Sequence, residues 1–83
     1  MTRNDFEAEI RVILTRLTES DVSDVKRDDD LTQVLGLDSL GRLELLSEME
    51  EKFDVTIYDL NTDNVSTIND ILDVVEAAML ETV

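Results

Sequence analysis

The chain of 83 residues predicts an all-α fold: a small four-helix bundle of three main helices plus a short third helix, with a long loop between the first and second helices. Three observations carry this. Apolar residues recur every three or four positions in three separate stretches, as the buried faces of amphipathic helices do. No stretch alternates well enough to be read as a strand. The composition, 42% hydrophobic but only 4% aromatic, supplies one modest core of Leu, Ile and Val, enough for a single domain over residues 1–83. With no cysteine there are no disulfides and no thiolate-bound zinc, so that core must hold the fold by itself.

The first helix is expected from about Thr2 to Leu17. Phe6, Ile10, Ile13, Leu14 and Leu17 share one face, Glu7, Glu9, Arg11 and Arg16 lie opposite, and Thr2 with Asp5, or Asn4 with Glu7, provides the cap. "TESDVSDVKRDDDLTQVLGLD" reads as a long loop pinned to the core at Val22, Val25, Leu31, Val34, Leu35 and Leu37. Gly36 ends any short helical turn formed by "DLTQVL". A long ordered loop in so small a domain is usually functional. The second main helix, about Ser39 to Phe53, has Leu40, Leu43, Leu46, Met49 and Phe53 as its apolar stripe. Glu44, Glu48 and Glu51 form an acidic ridge on the other side, whose members repel one another by a few tenths of a kcal/mol per pair. "DVTIYDLNTDNVS" is a connector with one short helix around Asp59 to Val65. Ser66 or Thr67, with Asp70 three beyond Thr67, opens the last helix, which buries Ile68, Ile71, Leu72, Val75 and Met79.

Charge narrows the partners. Seven Lys and Arg against 21 Asp and Glu leave −14, which disfavours nucleic acid and anionic membranes and favours basic protein surfaces. No apolar run approaches the ~18 residues of a membrane span, and "MTRNDFEAEI" lacks the layout of a secretory signal, so a cytoplasmic protein and a monomer are expected.

Counting also removes most chemistry. Without His or Cys there is no Ser-His-Asp or Cys-His arrangement and no soft metal ligand. "GLDSLG" is not a nucleophile elbow, because Leu37 stands where glycine is required. Asp59-Leu60-Asn61-Thr62-Asp63 with Asp70 imitates part of a calcium loop. Asn64, however, occupies the position of the sharp-turn glycine, and a polar connector followed by a helix cap at Thr67 is the better reading. No metal site and no catalytic residue is assigned; the chain is not expected to be an enzyme. Asp38 or Ser39 is a natural cap, and the same helix start suits an attached phosphate.

"LGLDSLGRLELLSEMEEKF" closely resembles the prosthetic-group attachment segment of acyl carrier proteins. Leu35, Gly36, Asp38, Ser39, Leu40, Glu44 and Leu45 match the pattern, continued by Glu50, Glu51 and Phe53. Helix order, length and acidity extend the resemblance along most of the chain. It implies a 4′-phosphopantetheine esterified to Ser39, flanked by Asp38 and Leu40, transferred from coenzyme A by a phosphopantetheinyl transferase. It further implies a carrier of acyl thioesters for fatty acid, polyketide or related lipid biosynthesis. Glu44, Glu48, Glu51, Asp59 and Asp63 would then meet basic patches on acyl-loading and acyl-transferring enzymes. An aminoacyl or peptidyl carrier of a nonribosomal pathway is the neighbouring alternative, and a noncatalytic acidic adaptor the more distant one. Gly41, Arg42, Ser47, Lys52 and Tyr58 depart from the form typical of fatty acid synthesis and point to a specialised carrier.

Overall fold

A computed structural model of the chain describes residues 2–57 and 65–81. Within them the helices are α1 (Arg3–Thr18), α2 (Leu31–Leu35), α3 (Ser39–Phe53) and α4 (Ile68–Glu81), and no strand occurs among the described residues. The all-helical expectation holds. The expected short helix at Asp59 to Val65 lies almost wholly outside the described residues, whereas α2 realises the short turn that Gly36 was expected to end.

The sequence sets each helix boundary through a side chain that satisfies otherwise unpaired amides. Thr2 and Asp5 form a capping box at the head of α1: the Asp5 amide donates to Thr2 Oγ1 at 3.3 Å and the Thr2 amide to Asp5 Oδ2 at 2.8 Å. Asp30 caps α2 through the amides of Thr32 and Gln33, and Gly36 closes it in the left-handed region at φ 69°. Thr67 and Asp70 repeat the capping box at α4. Asp70 Oδ2 accepts from the amides of Ser66 and Thr67, while Thr67 Oγ1 accepts from the Asp70 amide. The cap reading of "VSTIND" is therefore the one the structure realises, and Asp70 is engaged in it. With only two glycines in the chain, α1 and α3 end instead on Glu19 and Asp54, both at φ 53°.

α1 and α3 run antiparallel. Phe6, near the start of α1, meets Phe53 at the end of α3 edge to face with centroids 4.8 Å apart. Glu9 pairs with Lys52 at 2.7 Å, and Arg16 pairs with Glu48. The core gathers Phe6, Ile10, Ile13 and Leu14 from α1, Leu45, Leu46 and Met49 from α3, and Ile68, Ile71, Leu72 and Val75 from α4. Val22, Leu31 and Leu37 pin the long loop to this core as expected, with Val25 and Leu35 partly buried, but Val34 is half exposed.

Two stripes need correction. Leu40 and Leu43 were expected in the core, yet Leu40 is 63% exposed and Leu43 is also at the surface, while Leu45 is fully buried. Helix period supplies the reason: at about 100° per residue Leu40 lies half a turn round α3 from Met49, on the side of the exposed Glu44 and Glu51, and Leu43 lies at the margin, while Leu45, Leu46 and Met49 share the buried face. On α4 the stripe continues from Val75 to Ala78, three residues on, and Met79 is at the surface.

Glu7 is the polar counterpart of this core. Its side chain, 12% exposed, accepts from Arg11 Nε and Nη2 at 3.0 and 2.9 Å and from Arg27 Nε at 2.6 Å. Arg11 also donates to the Val22 carbonyl at 2.8 Å, and the Arg27 carbonyl accepts the Asn69 amide at 3.1 Å. One carboxylate thus fastens α1, the long loop and the start of α4. Desolvation pulls the Glu7 pKa up, but the hydrogen bonds from Arg11 and Arg27 outweigh it, and the carboxyl lies below its ordinary value of 4.5. A carboxylate with a depressed folded pKa stabilises above its unfolded value and loses that contribution as pH falls through the folded one. Glu7→Gln should therefore cost about 1–2 kcal/mol at pH 7, the scale of hydrogen bonds to a charged group. In urea unfolding at a series of pH values the gap to the unmutated chain should close below about pH 4.5, near the unfolded carboxylate value. A gap independent of pH would show that Glu7 contributes by packing alone.

Candidate functional site

The surface around the first turn of α3 is built by the long loop and the end of α1. After Gly36 reverses the chain, Leu37 is buried and Asp38 stands in extended backbone as the N-cap of α3. Asp38 Oδ1 accepts the Gly41 amide at 2.7 Å. The sequence left Asp38 and Ser39 as alternative caps, and the structure gives the task to Asp38. Ser39 is the first residue of the helix and is exposed, so its hydroxyl is not the capping group.

Three departures from the usual pattern acquire structural roles here. Arg42 Nη2 donates to Thr32 Oγ1 at 2.8 Å, and the Thr32 hydroxyl donates to the Leu37 carbonyl at 2.8 Å. This strut fixes the two residues before Ser39 against α3. Thr32 carried no signal in the sequence, because a partner ten residues away on another element leaves no periodic trace. Lys52 pairs with Glu9 of α1 and so serves the helix packing. Gly41 is explained by space: a Cβ there would stand 2.7 Å from Leu37 Cδ1 and 3.2 Å from Asp38 Oδ1. A side chain there would have to shift the end of Leu37 and press against the capping carboxylate of Asp38.

Beside the serine a groove of about 350 Å³ opens, lined by Leu17 and Thr18 from the end of α1, Leu35 to Asp38 from the loop, and Leu40, Gly41 and Glu44 from α3. Of the expected partner-facing acids, Glu44 and Glu51 are exposed on α3. Glu48 turns toward α1, where Arg16 pairs with it, and its side chain is 29% exposed. Asp59 and Asp63 lie outside the described residues. Arg3, Arg11, Arg16, Arg27 and Lys52 are all paired with carboxylates of this same chain. Most of the positive charge is thus used internally, and the acidic excess is displayed. Among the described residues no group of three or more acids, His or Cys could hold a metal ion. No helix among them is long and apolar enough to cross a membrane.

An exposed serine at the head of a helix, behind an aspartate cap and beside displayed carboxylates, is the arrangement expected from the resemblance to acyl carrier proteins. The model of the phosphopantetheine attachment site matches residues 8–75. The acyl carrier protein of Desulforapulum autotrophicum is 37% identical over 68 residues, covering 81% of this chain and 88% of that one. The acyl carrier protein of an Exiguobacterium species is 27% identical over 79 residues, covering 95% and 100%. The D-alanyl carrier protein of Streptococcus mutans is 37% identical over 71 residues, covering 83% and 89%. The chain belongs to the acyl carrier protein family: it is a carrier protein with a phosphopantetheine attachment domain, the covalent prosthetic group being phosphopantetheine.

Proposed function

We propose that Ser39 is the residue esterified by 4′-phosphopantetheine. On this reading the protein carries acyl groups as thioesters between enzymes of fatty acid, polyketide or related lipid biosynthesis in the cytoplasm. The observation that carries the proposal is the coincidence of the attachment-site match over residues 8–75 with one exposed serine heading α3 behind an aspartate cap. The surroundings fit the group. Ser39 is open to an approaching transferase, and the first turn of α3 offers the positive end of its dipole to a phosphate. When bound, the group supplies the thiol that a chain without cysteine lacks.

The protein's own residues position and present. Asp38 holds the first turn, the Arg42–Thr32–Leu37 strut keeps the loop from drifting, and Glu44 and Glu51 meet basic patches on the transferase and on loading enzymes. Asp38 extends that acidic face, Glu48 borders it, and Asp59 and Asp63 belong to the same proposed surface. Such charge pairs at a rim speed encounter and leave dissociation fast, as a shuttle requires.

A second reading has its own support: relatives named D-alanyl carrier protein are 37% and 38% identical to this chain, so an aminoacyl cargo is the alternative to a fatty one. Coexpression with a phosphopantetheinyl transferase should add one phosphopantetheine to the intact mass, with fragmentation placing it on Ser39. The cargo class then follows from the thioester recovered from the source cell. A mass unchanged with several transferases would overturn the assignment and favour an adaptor that binds basic partners without a covalent group.

A further inference from the structure

We propose that the groove beside Ser39 is a resting cradle for the phosphopantetheine arm itself, and that glycine at position 41 is what keeps it open. The inference rests on the reading that Ser39 carries the arm. It adds where the arm lies when no partner holds it, and which residues decide that.

Four observations converge on this occupant. The groove starts at the attachment point, since Asp38, Leu40 and Gly41, the neighbours of Ser39, form one wall. A group tethered there reaches it at high effective concentration, whereas a soluble ligand would have to compete. The volume, about 350 Å³, falls at the small end of the roughly 300–1,000 Å³ typical of small-molecule sites, enough for an arm but not for an arm and a long tail together. The lining is mixed: the exposed Leu40 and the half-buried Leu17 and Leu35, which pack against the core, lend apolar atoms, while Thr18, Asp38 and Glu44 add polar ones. An arm in which a geminal dimethyl group is followed by two amides matches such a surface better than a uniform hydrocarbon does.

Gly41 supplies the fourth. A Cβ at this position would stand 2.7 Å from Leu37 Cδ1. Leu37 is only 4% exposed, so its inner side is already packed, and the groove is the open direction left to it. Alanine would therefore improve helix propensity and yet push the end of Leu37 toward the cradle. The glycine that departs from the usual pattern becomes a residue that decides the arm's resting place.

The test compares unmodified and modified chains, isotopically labelled, with the arm added from unlabelled coenzyme A. Chemical shift changes should extend to Leu17, Thr18 and Leu35, and the arm's geminal methyls should show NOEs to the methyls of Leu17 and Leu40. In Gly41→Ala the mass of the arm should still be gained, but those NOEs should disappear and the shift changes at Leu17 should fall at least twofold. Leu17→Ala, which removes a wall without touching α3, should lose the NOEs from the arm to the Leu40 methyls and serves if Gly41→Ala folds poorly. An arm whose methyls keep free-solution shifts, with changes confined to the immediate neighbours of Ser39, overturns the cradle while leaving attachment intact. NOEs that persist in Gly41→Ala overturn the role of the glycine. Absence of any mass gain in the unmutated chain overturns the attachment reading, and the cradle with it.

Discussion

Ser39→Ala is expected to abolish phosphopantetheine addition completely while changing stability by no more than ~0.5 kcal/mol, because alanine is at least as good a helix residue as serine. The expectation follows from the division of labour at the head of α3. The hydrogen bond that caps the helix runs from the Gly41 amide to Asp38 Oδ1 at 2.7 Å, and Ser39 stands one residue inside it. Asp38→Ala should show the opposite pattern of cost, losing about 1 kcal/mol by removal of the cap and fraying the turn on which the serine is presented. Asp38→Asn separates cap from charge, since asparagine caps as well as aspartate. If the transferase recognises the carboxylate, the asparagine variant keeps its stability and loses rate. Urea unfolding and the rate of mass gain, measured on all three, resolve the roles. A Ser39→Ala chain destabilised by more than 1 kcal/mol would mean that serine shares the cap, and an adduct surviving in it would place the attachment elsewhere.

The parts of this fold that were legible in the sequence are those fixed by local chemistry. Thr2 with Asp5 and Thr67 with Asp70 are capping boxes whose spacing is visible in the chain, and both form. The span Ser39–Phe53 was legible because an Asp-Ser start and a regular apolar repeat define it. What sequence could not supply is which part of a repeat meets a neighbour. Leu40, Leu43, Leu46 and Met49 step by three, so the row drifts about 60° at each step and carries Leu40 round to the exposed face, while Leu45 takes the buried place. Equal spacing likewise made Glu44, Glu48 and Glu51 one ridge, although only Glu48 faces Arg16. Gly41 stood out as a departure, but its reason lies in Leu37, a buried residue whose side chain approaches it only once the loop has folded. Period and composition do not encode that approach.

Leu45→Ala should be strongly destabilising, at about 2–5 kcal/mol. The side chain is fully buried in a core whose other members, Leu14 and Ile71 among them, are sealed at 0% exposure, so the cavity cannot be filled from solvent. At roughly 0.05–0.15 kcal/mol per residue the whole domain holds about 4–12 kcal/mol, so one such cavity removes a large share. Leu40→Ala, five residues earlier on the same helix and 63% exposed, should cost less than ~1 kcal/mol, because little apolar area leaves the interior. Function should follow the reverse order at temperatures where both variants are folded. Leu40 stands beside Ser39 on the surface a transferase must approach, so its truncation should slow addition of the arm, whereas Leu45→Ala should accept the arm at nearly the normal rate while folded. Denaturant midpoints with unchanged slopes, set against mass-gain rates, make the comparison. Equal destabilisation by the two alanines would mean that α3 is rotated about its axis relative to the packing described here. The exposed face of the first turn, and the cradle beside it, would then have to be reassigned.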